Sequence, residues 1–232
     1  MDIRGFIETS FLDWDGKITS VIFVPGCNFR CPFCNNAVLV LKAESLPPVD
    51  PALIDEFILK RKDFIDGVVI TGGEPTLQSD LPAYLRHLKS LGFLVKLDTN
   101  GSNPNMLKDL LGEKLLDYVA MDLKAPLNEK YLAATGASLD PGTIRQSVNL
   151  LMGSGIDYEF RTTVCPAFLK SEEVAGIARE IPGAKKFVLQ QFVPKDTLDP
   201  GLLKVRPYSK DDFVKMAAVC REFVKNTIIR GV

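Results

Sequence analysis

The chain has 232 residues, of which 46% are hydrophobic and 25% are charged, and this composition is typical of an ordinary globular domain. Its 28 Lys and Arg residues balance 29 Asp and Glu residues to a net charge of −1, which argues against a protein that binds nucleic acid mainly through phosphate contacts. No apolar run reaches the about 18–20 residues that span a bilayer, and the first residues do not resemble an export signal. We therefore expect a cytoplasmic protein without a membrane partner.

Strands and helices are predicted to alternate along the chain. Apolar runs predict strands at 18–24, 67–71, 93–98, 117–122, 158–164 and 187–192. A first helix is expected to begin at Pro51, since Asp50 can act as its N-cap and proline suits the first helical position. Ser209 and Asp212 are spaced as a capping box at the start of the last helix. Amphipathic stretches predict the helices at 81–91, 106–111, 144–151, 172–181 and 213–224.

The strand pattern predicts the fold class. Apolar runs without clean alternation are typical of parallel strands that are covered on both faces, and six strand–helix units make either a doubly wound open sheet or a partial barrel. Parallel α/β folds place their chemistry at the carboxyl ends of strands. Polar, glycine-containing segments follow the strands at 25–34, 71–75, 98–101 and 122–126, with Arg161 near another strand end. We expect these segments to converge on one site.

Three of the five cysteines, Cys27, Cys31 and Cys34, lie within eight residues in a C-x3-C-x2-C pattern. Structural zinc normally takes four protein ligands, usually as two spaced pairs. Three thiolates on a cubane iron–sulfur cluster instead leave one iron without a protein ligand, whereas Cys₄ ligation is the closed arrangement. The three-cysteine loop therefore indicates a catalytic cluster.

The alternative is a zinc loop in a non-catalytic binding module. Its fourth ligand would be Cys165, Cys220 or His87, which is the only histidine of the chain. We expect Cys165 and Cys220 to be small buried hydrophobes rather than ligands.

The pattern C-x3-C-x-Phe-C after a first strand, with Phe33 at the aromatic position, resembles the radical S-adenosylmethionine (radical SAM) superfamily. The resemblance implies a partial (β/α)6 barrel in a single domain 1–232, with a core at about 18–195, an N-terminal extension and a C-terminal helix. It implies that the three cysteines hold a 4Fe–4S cluster whose open iron binds S-adenosylmethionine. One-electron reduction, from a donor such as flavodoxin or ferredoxin, then yields methionine and a 5′-deoxyadenosyl radical that abstracts hydrogen.

Further motifs match this superfamily. Gly72, Gly73 and Glu74 follow the second predicted strand, like the GGEP segment that binds the methionine amino group, and glycine permits a close backbone approach. The stretches 97–101, 121–124 and 160–164 follow the order seen in pyruvate formate-lyase activating enzyme, a glycyl-radical activating enzyme. The cofactor-binding residues implied by the resemblance are Phe33, Gly72, Gly73, Glu74, Asp98, Thr99, Asn100, Asp122, Lys124 and Arg161.

The same resemblance implies a monovalent cation, Na or K, beside the cofactor carboxylate, held by Asp98, Thr99, Asp122 and the Met121 carbonyl. Simpler interpretations stay open for these residues. The segment 98–101 could be a turn with a helix cap, and Lys124 could be a solvated loop cation. Arg161 could form an ion pair with Asp122 or Glu159, since a buried charge needs a partner.

The N-terminal block 5–17, together with 23–31, resembles anaerobic ribonucleoside-triphosphate reductase activating proteins. This implies hydrogen abstraction from a backbone glycine of a partner enzyme. Two departures leave the target open, because Asn35 stands where that group commonly has histidine and 190–194 lacks the histidine of the pyruvate formate-lyase activator. A radical SAM enzyme that modifies a small molecule or a peptide is the alternative.

Overall fold

The structure is a computed structural model that describes residues 1–232. It is an α/β fold with eight strands in one mostly parallel sheet, in which the strand order follows the chain order. The strands are β1 (Gly5–Ser10), β2 (Thr19–Val24), β3 (Gly67–Gly72), β4 (Leu94–Thr99), β5 (Tyr118–Asp122), β6 (Asp157–Val164), β7 (Phe187–Gln191) and β8 (Thr227–Arg230). The helices are α1 (Ala37–Leu41), α2 (Pro51–Lys60), α3 (Leu81–Ser90), α4 (Pro104–Gly112), α5 (Glu129–Thr135), α6 (Pro141–Gly153), α7 (Ser171–Glu180) and α8 (Lys210–Cys220).

The six predicted strands are confirmed as β2 to β7, within one or two residues at each end. The sheet has two further strands that the sequence did not predict: β1, which pairs antiparallel with β2, and β8, which pairs parallel with β7. The helices α1 and α5 were not predicted either, whereas the six predicted helices are confirmed. None of the helices is long and apolar enough to cross a bilayer.

The chain forms two compact units. Unit 1 contains Met1–Asn28, Val38–Thr99 and Asn105–Val119. Its strands β2, β3 and β4 run parallel in register, so that Val69 pairs with both Val21 and Lys96. The predicted cap of α2 is confirmed, because the Asp50 carboxylate accepts a hydrogen bond from the backbone N–H of Ala52 at 2.9 Å.

Unit 2 contains Phe29–Ala37, Asn100–Pro104 and Ala120–Val232. Its strands β6, β7 and β8 are parallel, with Phe160 opposite Phe187 and Phe187 opposite Thr227. The two phenylalanines are fully buried, so the core of this unit lies against its sheet. The predicted capping box of α8 is confirmed by reciprocal bonds between Ser209 and Asp212.

Candidate active site

The cysteine loop follows β2 and passes from unit 1, which contains Cys27, to unit 2, which contains Cys31 and Cys34. All five cysteines of the chain are thiols. Cys31 and Cys34 are the ends of one tight turn, in which the backbone N–H of Cys34 donates to the Cys31 carbonyl at 3.0 Å. Cys31 is buried, while Cys27 and Cys34 are half-buried.

The part of the loop in unit 2 is anchored to the segment that follows β7. The backbone N–H of Leu198 donates to the Cys34 carbonyl at 3.1 Å, and that of Asp199 donates to the Pro32 carbonyl at 2.9 Å. The Asn35 side-chain amide donates to the carbonyls of Val193, at 3.2 Å, and Lys195. Asn35 therefore fixes the end of the cysteine loop. It stands where anaerobic ribonucleoside-triphosphate reductase activating proteins commonly have histidine.

The aromatic residue of the cysteine motif, Phe33, is almost fully buried. Its ring centroid lies 5.6 Å from that of Phe168, which follows β6. The residue is thus held by an aromatic contact within unit 2.

The Gly-Gly segment at the end of β3 requires glycine at both positions. Gly72 has a φ of +118°, a conformation that side chains disfavour. A Cβ atom at Gly73 would lie 1.8 Å from the Gly26 carbonyl oxygen, and one at Gly72 would lie 2.5 Å from the Val24 carbonyl oxygen. The backbone N–H of Gly73 donates to Val24 at 2.8 Å. The two glycines thus allow this turn to lie directly against the start of the cysteine loop in unit 1.

Glu74 has no exposed surface. Its carboxylate accepts hydrogen bonds from the backbone N–H and hydroxyl of Thr76, at 3.1 and 2.6 Å, and from the Thr99 hydroxyl at 2.7 Å. The side chain therefore ties the end of β3 to the end of β4, and we interpret it as a positioning residue.

Asp98 lies one residue before the end of β4 and is mostly buried. The Thr71 hydroxyl on β3 donates to Asp98 Oδ2 at 3.4 Å. The ammonium group of Lys96, two residues earlier on β4, lies 3.1 Å from Asp98 Oδ1. This carboxylate therefore has a cationic partner within its own strand.

The segment after β4 forms a turn in unit 2. The Asn100 side-chain oxygen accepts a hydrogen bond from the backbone N–H of Ser102 at 2.9 Å, which is an Asx turn. Gly101 has a φ of +73°, and a Cβ atom there would lie 2.1 Å from the methyl carbon of Met121. The turn thus begins at Asn100, whereas Asp98 and Thr99 belong to β4, so the interpretation of 98–101 as a turn holds only for its second half. The binding roles of Asp98 and Thr99 stay predictions.

Asp122, at the end of β5, is the centre of a second ionic group. The Arg161 guanidinium donates to both of its carboxylate oxygens, at 3.0 and 3.3 Å, and the Lys124 ammonium lies 3.1 Å away. The ion pair between Arg161 and Asp122 is thus confirmed, while Glu159 pairs with Arg230 at 2.8 Å. Burial raises the pKa of Asp122, but the charges of Arg161 and Lys124 outweigh burial and lower its pKa to about 2.

Lys124 also faces the cysteine turn. Burial lowers the pKa of its ammonium group, but the Asp122 carboxylate, with smaller contributions from Cys31 and Cys34 in their ionised form, outweighs burial, so the net shift is upward. Lys124 is therefore held by its ion pair with Asp122 in unit 2, and it is not a solvated loop cation.

A family profile identifies the superfamily of this chain. The profile of the radical SAM superfamily matches residues 21–181, which include all three cysteines, the Gly-Gly segment and Arg161. The chain belongs to the radical SAM superfamily. It is a radical SAM enzyme, as its cysteine spacing indicates.

One relative of this radical SAM chain is similar to it over nearly its whole length. A Methanocaldococcus jannaschii protein, described as a candidate glycyl-radical enzyme activating enzyme, is 32% identical over 99% of this chain and 96% of its own length. Among solved structures, Streptococcus suis SuiB bound to S-adenosylmethionine has a TM-score of 0.68 at 17% identity, over 91% of this chain and 52% of SuiB. A domain of pyruvate-formate lyase-activating enzyme from Bacteroides vulgatus has a TM-score of 0.58 at 14% identity, over 71% of this chain and 99% of that domain. The two structures show the fold alone, which is the predicted radical SAM fold.

The donor set fits the 4Fe–4S cluster that the superfamily implies. Thiolates are the usual ligands of such clusters. Two of the three thiols, Cys31 and Cys34, lie on one turn that is fixed by backbone hydrogen bonds. Lys124 interacts electrostatically with Cys31 and Cys34, and its positive charge would offset part of the negative charge that thiolates and sulfide bring.

The zinc alternative gains no support. No group of three or more His, Cys, Asp or Glu side chains is positioned to hold a single metal ion. Cys165 and Cys220 are confirmed as buried residues, and the Cys220 thiol contacts the Val174 carbonyl at 3.8 Å. His87 lies on α3 and pairs with Asp55 at 2.7 Å.

The predicted residues fall into one set in each unit. Unit 1 brings together Glu74 and Thr99, and Thr71 with Asp98, while unit 2 brings together Asp122, Lys124 and Arg161. Convergence of all these segments on one site stays a prediction. Sequence analysis missed Lys96, although a lysine in an apolar strand is a costly placement that asks for a partner, just as Arg161 is.

Proposed function

We propose that this radical SAM enzyme is a glycyl-radical activating enzyme, which removes a hydrogen atom from a backbone glycine of a partner protein. The similarity that supports this proposal most is that to the Methanocaldococcus jannaschii protein, because it extends over 99% of the chain rather than over the cysteine motif alone. Resemblance of the N-terminal block to anaerobic ribonucleoside-triphosphate reductase activating proteins favours an anaerobic ribonucleotide reductase as that partner.

The proposal assigns the cluster to Cys27, Cys31 and Cys34. The cofactor-binding residues that it proposes are Phe33, Gly72, Gly73, Glu74, Asp98, Thr99, Asn100, Asp122, Lys124 and Arg161. Within this set, Gly72 and Gly73 offer backbone to a ligand, since both are only half-buried. Glu74 acts as a positioning residue, because its carboxylate accepts the hydrogen bond of the Thr99 hydroxyl and so holds Thr99 in place.

Cys27, Cys31 and Cys34 would hold the cluster, which would supply the electron for cleavage of S-adenosylmethionine to methionine and a 5′-deoxyadenosyl radical. The glycine hydrogen atom of the partner would pass to that radical and give 5′-deoxyadenosine. The protein contributes binding, orientation and charge. Arg161 and Lys124 are held in place by Asp122, and their positive charge suits an anionic carboxylate in the cofactor. The electron comes from a donor such as flavodoxin or ferredoxin.

The monovalent cation expected at Asp98, Thr99, Asp122 and the Met121 carbonyl stays a prediction. Both carboxylates already have cationic partners in the chain, at 3.1 Å for Asp98 and 3.0 Å for Asp122.

Electron paramagnetic resonance on candidate partners tests the proposal. The reconstituted enzyme is incubated under anaerobic conditions with dithionite, S-adenosylmethionine and an anaerobic ribonucleotide reductase encoded in the same genome. We expect the signal of a glycine-centred radical on the partner, together with 5′-deoxyadenosine. The matched controls are a partner in which the radical glycine is replaced by alanine and the Cys31→Ala enzyme, and neither should give the signal.

Two results would count against an activating function. Formation of 5′-deoxyadenosine without a protein radical on any glycyl-radical enzyme of that genome would contradict it. A consumed metabolite or a modified peptide in place of the radical would establish the alternative, a radical SAM enzyme with a small molecule or peptide as substrate.

A further inference from the structure

Lys96 is a charged residue inside an apolar strand. It lies in the middle of β4 between Val95 and Leu97, both of which are fully buried, and only 4% of its own side chain is exposed. Residues two apart on a strand point to the same face, which brings the Lys96 ammonium to 3.1 Å from Asp98 Oδ1. Burying a lysine charge is costly unless the charge is paired, and Asp98 provides that pair.

The ammonium group is fixed from two other directions in unit 1. The Asp13 carbonyl, in the connection between β1 and β2, accepts a hydrogen bond from it. The ring of Tyr118 lies 5.8 Å from the nitrogen, within the range of a cation–π contact, and Trp14 packs on Tyr118 with the ring centroids 5.6 Å apart. The group is therefore already in position before any ligand binds.

Lys96 neutralises Asp98 in the way that a bound cation would. The Asp98 side chain is only 11% exposed, so a carboxylate there needs a nearby positive charge. In unit 2, the Asp122 carboxylate is neutralised in the same way by ion pairs with Lys124 at 3.1 Å and Arg161 at 3.0 Å. The two acidic residues that were expected to hold a monovalent cation are each neutralised by cations of the chain.

We propose that Lys96 takes the place of a monovalent cation at Asp98, so that this enzyme binds S-adenosylmethionine without requiring Na⁺ or K⁺. This inference rests on the proposed assignment of Asp98 to the cofactor site. It makes Lys96 a positioning residue, which acts through the Asp98 carboxylate.

Calorimetric titration of S-adenosylmethionine into the reconstituted enzyme tests the inference. The titration is done at one ionic strength with K⁺, Na⁺ or tetramethylammonium as the only added cation, since tetramethylammonium is too large for an ion site between oxygens. The variants are Lys96→Met, which removes the charge and keeps the length, and Lys89→Met. The second variant is the matched control, because Lys89 also pairs with a carboxylate of unit 1, Asp117 at 2.7 Å, but belongs to no predicted site.

We expect the dissociation constant of the wild-type enzyme to be equal within error in the three salts. Lys96→Met should bind about tenfold or more weakly in tetramethylammonium, because it removes the cation that lies 3.1 Å from the mostly buried Asp98 carboxylate. K⁺ or Na⁺ should restore part of the lost affinity by filling the vacated position, whereas Lys89→Met should behave as wild type. ²³Na line broadening that is stronger for Lys96→Met than for wild type would show the acquired ion directly.

A wild-type enzyme that loses affinity when K⁺ and Na⁺ are withdrawn would overturn the inference and leave the proposed function intact. Unchanged affinity of Lys96→Met in tetramethylammonium would overturn it equally. If the cluster-loaded wild-type enzyme does not bind S-adenosylmethionine in any of the three salts, both the proposed function and this inference are contradicted. The wild-type comparison requires no variant, so it decides the matter even if Lys96→Met does not fold.

Discussion

Gly73 is the residue at which replacing glycine by alanine is expected to distort the candidate site most. An added Cβ atom would lie 1.8 Å from the Gly26 carbonyl oxygen, so the Gly-Gly turn or the start of the cysteine loop would have to move. We expect Gly73→Ala to lower the rate of S-adenosylmethionine cleavage by about 100-fold, since displacements of about 1 Å at a reacting site have effects of that size. The rate is measured as 5′-deoxyadenosine formed per cluster.

Gly112→Ala is the matched control, because nothing lies within 4 Å of a Cβ atom at Gly112 in α4. It should leave the rate unchanged and raise stability by up to about 1 kcal/mol, the difference in helix propensity between the two residues. Equal rates for Gly73→Ala and wild type would show that close approach at this turn is not needed.

Cys165 and Cys220, the two buried cysteines outside the loop, should react much more slowly with an alkylating agent than the half-buried Cys34 of the loop. Burial raises the pKa of the Cys220 thiol to about 11, against the opposing charges of Arg179 and Arg221. At pH 8 about one thiol in a thousand would be ionised, so we expect iodoacetamide to leave Cys220 and Cys165 intact in the native apo chain and to modify Cys34. Peptide mass spectrometry reads the result, with the denatured chain as control.

The direction of the Cys220 shift also predicts a pH dependence. The Cys220 thiol has a higher pKa in the folded state than in the unfolded state, so its contribution to the free energy of unfolding is complete below about pH 9. The free energy of unfolding falls as the pH rises from about 9 towards 11. Modification of Cys220 in the native chain as fast as that of Cys34 would contradict the buried placement.

Single residues were predictable from the sequence where one chemical need determined them. The cysteine spacing and the Gly-Gly pair follow from ligand chemistry and backbone approach. The cost of burying Arg161 indicated an ion pair with Asp122 or Glu159 as one interpretation, and the structure shows the pair with Asp122. Lys96 obeys the same rule, yet its partner follows from strand alternation, which the resemblance did not draw on. The carboxylate of Glu74 turns inward to Thr76 and Thr99, and no local pattern indicates that orientation.

The cysteine loop is the element whose anchoring can be tested most directly. Asn35 donates to the carbonyls of Val193 and Lys195, so Asn35→Ala should loosen the loop end that carries Cys34. We expect iron content after reconstitution to fall while the free energy of unfolding changes by only about 1 kcal/mol, since the lost hydrogen bonds are exposed. Iron per chain and thermal melting are the two measurements.

Asn226→Ala is the matched control, because the Asn226 amide makes an exposed hydrogen bond of the same kind to the Lys185 carbonyl at 3.3 Å. It should keep full iron content. If Asn35→Ala also keeps it, the segment that follows β7 does not support the cluster loop.

Elements with a strong apolar run or a cap were predictable, and those that depend on a neighbour were not. The strands β2 to β7 are carried by buried side chains, and Asp50 and Ser209 mark the starts of their helices. The strand β1, with the sequence GFIETS, has no buried residue, so its strand conformation comes from pairing with β2. The strand β8 has four residues, which is too short for a periodic signal.

The assignment of the whole molecule to its superfamily is supported by both its sequence and its fold. The superfamily profile spans residues 21–181, and the fold is shared with solved radical SAM structures at identities that carry no information on the substrate. Fold and cofactor chemistry are therefore established at the level of the superfamily, whereas the glycine target is a proposal. Substrate recognition depends on contacts with a second molecule, so no motif within this chain identifies the substrate.

The most direct test of the account is the amount of 5′-deoxyadenosine that the anaerobically reconstituted chain forms from S-adenosylmethionine and dithionite, measured by liquid chromatography and mass spectrometry. Cys27, Cys31 and Cys34 are the predicted ligands of the cluster that drives this cleavage. We predict 5′-deoxyadenosine from the wild-type chain and none above background from Cys31→Ala. A chain with a full 4Fe–4S cluster that forms no 5′-deoxyadenosine, or a Cys31→Ala variant that forms as much as wild type, would contradict it.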